Sequence, residues 1–141
     1  MINEIIDGIA IKLHETFGSE YKIYKEDIPQ GFVEPCFVIR LVQPLQTAKL
    51  PNRYHRVHLF DIHYFPKSDV KAKTEIYEVA DKLFSELEFI TVKQNDVDNL
   101  CRGTKMRNEI VDNVLHFFVN YDFFVKIEVT DEEYMEELIQ K

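Results

Sequence analysis

The sequence predicts an α+β fold: a mainly antiparallel sheet packed by an N-terminal and a central helix, with a short C-terminal helix. Three observations lead there. Two long segments place apolar residues at the helical spacing i, i+3, i+4, i+7, while several others alternate apolar and polar residues with the period of a half-buried strand. The strand-like segments come in runs joined by turn residues, rather than alternating one by one with helices as a parallel sheet requires. Eleven Phe and seven Tyr, with no Trp, are the side chains a pleated surface accommodates well.

Along the chain, Ile2, Ile5, Ile6, Ile9, Ala10, Leu13 and Phe17 form one stripe, so residues 2–17 are predicted helical, with Gly18 as the stop. Residues 21–26 alternate as a short strand, and Pro29, Gly31 and Pro35 punctuate the turn that follows. Phe37, Ile39 and Leu41 give 36–42 an apolar face, and Arg40 marks the other face as partly wet. Pro44 and Pro51 make 43–52 a loop or a long hairpin arm. A long strand follows over 53–65, with Phe60, Ile62 and Tyr64 on one face and Leu59, Asp61 and His63 on the other, ended by Pro66.

Ser68 or Asp69 is the predicted cap of the central helix, whose Ile76, Val79, Ala80, Leu83, Phe84 and Leu87 form an unbroken apolar stripe. Residues 88–93 read as a strand, Asn95-Asp96 as a turn, and 97–109 as a more polar strand in which Gly103 marks a bulge. Asp112-Asn113 is a hairpin turn pair. From Leu115 to Ile127 every second residue is apolar, with Phe118 and Phe124 as the exceptions between them. Thr130 with Glu133 has the form of a capping box and opens the acidic C-terminal helix.

With 141 residues, no internal repeat and no long linker, residues 1–141 are expected to form a single domain, with a projecting arm over 43–56. No apolar run approaches the roughly 20 residues that cross a bilayer. The N-terminus lacks the charged and apolar regions of a signal peptide, and Cys36 and Cys101 have no CxxC spacing. A cytoplasmic protein with reduced thiols and no membrane partner is the expectation. The net charge of −8 disfavours duplex DNA, whose recognition rests on neutralising phosphates.

No arrangement of residues announces catalysis or a cofactor. The four glycines are too dispersed for a phosphate-binding loop. Cys101 beside Arg102 has the better electrostatics for a thiolate, and Cys36 reads as a small buried hydrophobe, but neither has a recognisable base. His55 and His63 face one side of their strand and His58 the other, so the three cannot converge on one ion. Asp61 and His63 share a face and can pair with His116 across the sheet. The plainer reading treats them as ordinary sheet residues with exposed imidazoles, and no metal is predicted.

What remains is charge asymmetry. From Pro35 to Phe60 there are four bases and no acid; from Glu128 to Lys141 there are six acids and one base. Protein-facing contacts are therefore assigned to Lys49, Arg53 and Arg56, to the second basic cluster Arg102, Lys105 and Arg107, and to the acidic Glu132, Glu133, Glu136 and Glu137. Opposite charges of this kind steer subunits together. The plainer alternative is two solvated surfaces that never meet. A different class, a single-stranded nucleic-acid platform, would use Arg53, Tyr54, Arg56 and Arg102.

Pro35-Cys36-Phe37-Val38-Ile39, the arm and strand that end at Tyr64-Phe65-Pro66, and Asp112-Asn113-Val114-Leu115-His116-Phe117 with Tyr121 resemble the small tail-terminator proteins of tailed phages, defective prophages and phage-tail-like bacteriocins. The resemblance covers nearly the whole chain. It implies a ring, usually a hexamer, on the head-proximal end of a tail tube, where it stops tube growth and offers a surface to the neck. The implied partners are copies of itself, the tail-tube protein, and a sheath or neck (connector) protein, met first in the cytoplasm and then within the particle. It implies no catalytic residue and no cofactor. A head-completion or neck protein is the neighbouring alternative.

Overall fold

The structure, a computed structural model, describes residues 1–126. The predicted C-terminal helix, including Glu132, Glu133, Glu136 and Glu137, lies outside the described residues. Two helices, α1 (Ile2–Phe17) and α2 (Ala72–Glu86), accompany six strands: β1 (Lys22–Lys25), β2 (Cys36–Leu50), β3 (Arg53–Phe65), β4 (Phe89–Gln94), β5 (Val97–Val111) and β6 (Val114–Lys126). The strands form one sheet in the order β1-β2-β3-β6-β5-β4. All neighbours are antiparallel except β1 and β2, which are parallel.

Hairpin turns set this order. Asn95-Asp96 and Asp112-Asn113 have positive φ at both residues, the conformation of two-residue turns whose twist matches the flanking strands. Tight turns thus join β4 to β5 and β5 to β6. β5 serves two neighbours in succession: Val97–Arg102 pairs with β4, and from Gly103 onward it pairs with β6. The predicted bulge is displaced. The register shift falls between Thr104 and Arg107, and Lys105 has a φ of 51°. Gly103 is instead a point of close approach, since a Cβ there would stand 2.8 Å from both the Leu87 carbonyl oxygen and a Val119 methyl.

α1 packs against β4 at one end of the strand order and against β1 at the other. The sheet therefore curls around it, and a Lys25 Nζ–Asp7 Oδ1 ion pair of 2.6 Å bridges helix and β1. Gly18 ends α1 at a φ of 90°, donating its N–H to the His14 carbonyl; that backbone conformation favours a residue without Cβ. Inside the curl, Ile5, Ile9 and Leu13 of α1 and Ile76 and Leu83 of α2 meet Phe37, Phe60, Ile62, Phe117 and Tyr121 of the sheet, all fully buried. Each such side chain stabilises the fold by about 1.5–3 kcal/mol relative to exposure.

Two boundaries are set by the structure. Of the two forms expected for 43–52, loop or hairpin arm, the arm is found: β2 runs past Val42 to Leu50 as the first arm of the β2–β3 hairpin. Pro44 is tolerated because β1 pairs with β2 only from Cys36 to Ile39, leaving this stretch an edge. The central helix begins at Ala72, and neither Ser68 nor Asp69 caps it. Ser68 Oγ accepts the Lys71 N–H at 3.0 Å, closing the preceding turn, and the Glu75 carboxylate accepts the N–H groups of Lys67 and Ser68 and the Tyr64 hydroxyl. Phe84 is partly exposed at the border of the α2 stripe, edge-on to Phe117.

Among the described residues no helix is long and apolar enough to cross a membrane.

Candidate functional site

β2, β3 and β6 outrun their neighbours. β5 leaves β6 at the Gly103–Tyr121 pair and β1 leaves β2 at Ile39, so beyond these points the sheet narrows to a three-stranded ribbon ending at Leu50, Arg53 and Lys126. Its two outer strands have no further strand partner among the described residues. Open edges present unpaired N–H and C=O groups that can pair with another chain; Pro44 and Lys49 on β2 are residue types that restrain such pairing.

Cross-strand partners share a face, so the register sorts the ribbon's side chains. One side, continuous with the outer surface of the curl, carries Leu45, Val57, His55 and Phe124, with Leu50 and Arg53 at the tip. Leu45 and Leu50 are each 53% exposed and Phe124 is 75% exposed. Phe124 stacks on His55 at 4.9 Å, and His55 Nε2 is held 3.2 Å from Asp122 Oδ2. The other side carries Gln46, Ala48, Tyr54, Arg56 and Phe123. Between that side and the start of α1 lies a groove of about 580 Å³, lined by Ile2, Glu4, Pro44, Gln46, Arg56 and His58 among others.

The basic residues singled out from sequence do not form one patch. Arg53 and Arg56 lie on opposite sides of the ribbon, and Arg56 Nε donates to Gln46 Oε1. Lys49 is exposed at the second register shift of β2. Arg102 pairs with Glu88 at 3.3 Å and lies over the Phe89 ring. Lys105 is exposed on the β5 bulge, and Arg107 lies 4.0 Å over the Phe118 ring. A single strand of nucleic acid on the inner side would therefore meet Tyr54 and Arg56 but not Arg53. The exposed apolar residues Leu45, Leu50 and Phe124 are the feature that sequence reading passed over; Phe124 breaking the alternation of β6 was its one visible signal.

Neither cysteine is poised for nucleophilic work. Burial, with a smaller effect from Glu34, pushes the Cys36 thiol up to about 11, and burial pushes Cys101 up to about 11. The advantage expected for Cys101 from Arg102 is lost because the two side chains point to opposite faces of β5 and the guanidinium is engaged by Glu88.

The histidines divide as their spacing requires. His58 is buried on the core side, its Nδ1 3.1 Å from the Tyr121 carbonyl oxygen. Burial, aided by the Arg56 charge, holds its pKa below the usual histidine value although the Tyr121 hydrogen bond opposes this. A base with a depressed folded-state pKa contributes stability that is complete above the unfolded value near 6.5 and lost as pH falls below it. The thermal midpoint is expected to drop between pH 7.5 and 5.5, and the drop to shrink in His58→Gln, measured by circular dichroism at both pH values. An equal drop in the variant would remove His58 as the cause.

On the opposite face, Asp61, His63 and His116 do come together. Asp61 Oδ2 lies 2.9 Å from His63 Nε2 and 3.0 Å from His116 Nδ1. The imidazoles are not exposed as expected: their side chains are 12% and 23% accessible. Burial alone would raise the Asp61 carboxyl, but the hydrogen bonds and charges of the two histidines outweigh it and hold it below the ordinary carboxylate range.

Comparison with known proteins gives one family: a family model described as "Phage tail terminator protein" matches residues 4–133. No curated protein matches the chain.

Proposed function

We propose that this chain, which belongs to the phage tail terminator family, is a ring subunit that caps the head-proximal end of a phage-like tail tube and joins it to the neck. Membership makes it a structural component of a phage tail. The ring is the further step, and the observation that carries it is the ribbon of β2, β3 and β6, which extends past the core with an apolar outer side and with edges that have no further strand partner among the described residues.

A head-to-tail ring needs two different complementary surfaces on each subunit. The outer side of the ribbon supplies one, with Leu45, Leu50 and Phe124 as apolar anchors and Lys49 and Arg53 at the tip. Arg102, Lys105 and Arg107 on β5 contribute a second basic stretch, and Glu132, Glu133, Glu136 and Glu137 the acidic counterpart. The ring is a hexamer of this chain, with the tail-tube protein on one face and a sheath or neck protein on the other. The chain assembles in the cytoplasm, carries no catalytic site, and acts through these contacts, with the 43–56 arm as the projecting element of a single domain.

Native mass spectrometry of the purified chain, with electron microscopy after mixing with tail tubes, tests this reading. Closed rings and tubes capped at one end are expected. A monomer at all concentrations that leaves tubes uncapped would overturn it. Phe124→Asp and Leu45→Asp are each expected to weaken self-association by about tenfold or more, while monomer stability falls by no more than about 1–2 kcal/mol, since both side chains are exposed and only Phe124 gives up a ring contact, with His55.

A further inference from the structure

We propose that Asp61, His63 and His116 form a binding site for a zinc-class divalent cation on the outer face of the sheet. The three ligand atoms come from two adjacent strands and lie within 4.8 Å of one another. Their arrangement differs from what hydrogen bonding alone would favour. A carboxylate offers two oxygens, and two imidazole N–H groups would ordinarily be divided between them. Here both converge on Oδ2, at 2.9 and 3.0 Å, while the buried Oδ1 accepts nothing. Tetrahedral zinc with bonds of about 2.0–2.1 Å holds neighbouring ligand atoms about 3.3 Å apart, so small adjustments of the side chains bring all three into range.

The backbone fixes this convergence. His63 and His116 are direct cross-strand partners in the β3–β6 pairing, their rings 4.3 Å apart, and Asp61 lies two residues along β3, on the same face. Two imidazoles and one carboxylate make a nitrogen-rich donor set that suits zinc, cobalt or nickel and not calcium or magnesium, which prefer all-oxygen shells. On binding, each imidazole carries its proton on the nitrogen turned away from the cation, Nδ1 of His63 and Nε2 of His116. The partial exposure of both rings leaves a fourth position for water. Around the site on the same face, Val38 lies opposite His63, Arg40 opposite Asp61, Glu109 opposite His116, and Arg107 covers Phe118. The Arg40 guanidinium is engaged with the Glu26 carbonyl.

The inference does not depend on ring formation and is tested on the free, untagged full-length chain. Titration with zinc chloride by calorimetry is expected to show one equivalent bound per chain, and cobalt(II) to develop the visible absorption of a tetrahedral nitrogen–oxygen site. Asp61→Asn, which keeps the shape of the side chain, and His116→Gln are each expected to weaken zinc binding by about tenfold or more, with circular dichroism confirming that both variants are folded. Absence of heat and of cobalt absorption with the wild-type chain at roughly 100 μM metal, well above the affinity of a built zinc site, would overturn the proposal. So would unchanged binding in the His63→Gln/His116→Gln double variant, which would place the metal elsewhere.

Discussion

Gly8→Val is expected to destabilise the fold by about 3 kcal/mol, the upper end of what overpacking costs. Gly8 lies in the middle of α1, where a glycine should be a liability of about 1 kcal/mol relative to alanine. It is there because α1 rests on the backbone of β4: a Cβ at this position would stand 2.5 Å from the Thr91 carbonyl oxygen, and a backbone atom of a strand paired to β5 cannot swing aside as a side chain can. Relief requires α1 to lift away from β4, which opens the packing of Ile5, Ile9 and Leu13 together. Even Gly8→Ala, which gains helix propensity, is expected to lose stability. Urea denaturation followed by circular dichroism measures both variants; an alanine variant as stable as the wild type would mean that helix and strand are not in this contact.

Phe37→Ala is expected to cost about 3–5 kcal/mol, the range for emptying an aromatic site in a packed core. Phe37 is fully buried and is the hub of an aromatic cluster, with ring centroids 4.8 Å from Phe17, 5.9 Å from Tyr21 and 4.9 Å from Tyr64. Those partners belong to the end of α1, the turn after it, and β3. The cavity would therefore loosen the joint between helix and sheet as well as removing apolar burial. In a domain whose total stability is on the order of 5–15 kcal/mol, such a loss lowers the urea midpoint substantially. Val33→Ala, at a 55% exposed position, serves as the control and should change little. A loss below about 1 kcal/mol for Phe37→Ala would contradict the packing described here.

Much of the fold was legible because its signals are local. The stripe from Ile2 to Phe17, the alternation from Leu115 onward and the turn pairs Asn95-Asp96 and Asp112-Asn113 each follow from residues within one or two turns of each other, and the structure places the corresponding elements there. The stretch 43–50 stayed open between loop and hairpin arm because Pro44 and Pro51 act as breakers unless the strand lies at an edge, and edges are a property of the whole sheet. The cap of α2 was not legible because Ser68 is drawn into the turn before the helix, its Oγ accepting the Lys71 N–H and its own N–H held by the Glu75 carboxylate, so that α2 begins only at Ala72. For the site, spacing along β3 correctly separated His58 from His63 and allowed the Asp61–His63–His116 contact. It could not reveal that the imidazoles converge on one oxygen, since that depends on the β3–β6 register. Nor could charge counting show that Arg53 and Arg56 point apart; residue parity in a strand, once the strand is recognised, does.

The curl of the sheet around α1 has a consequence for synthesis. The helix is made before its main strand contact, β4, which lies roughly 70 residues downstream, a delay of about 4–14 seconds at ordinary translation rates. During that interval Ile5, Ile6, Ile9 and Leu13 have no β4 to shelter them, so the emerging chain exposes an oily stripe. Chaperones that greet nascent polypeptides at the ribosome exit would find a foothold there.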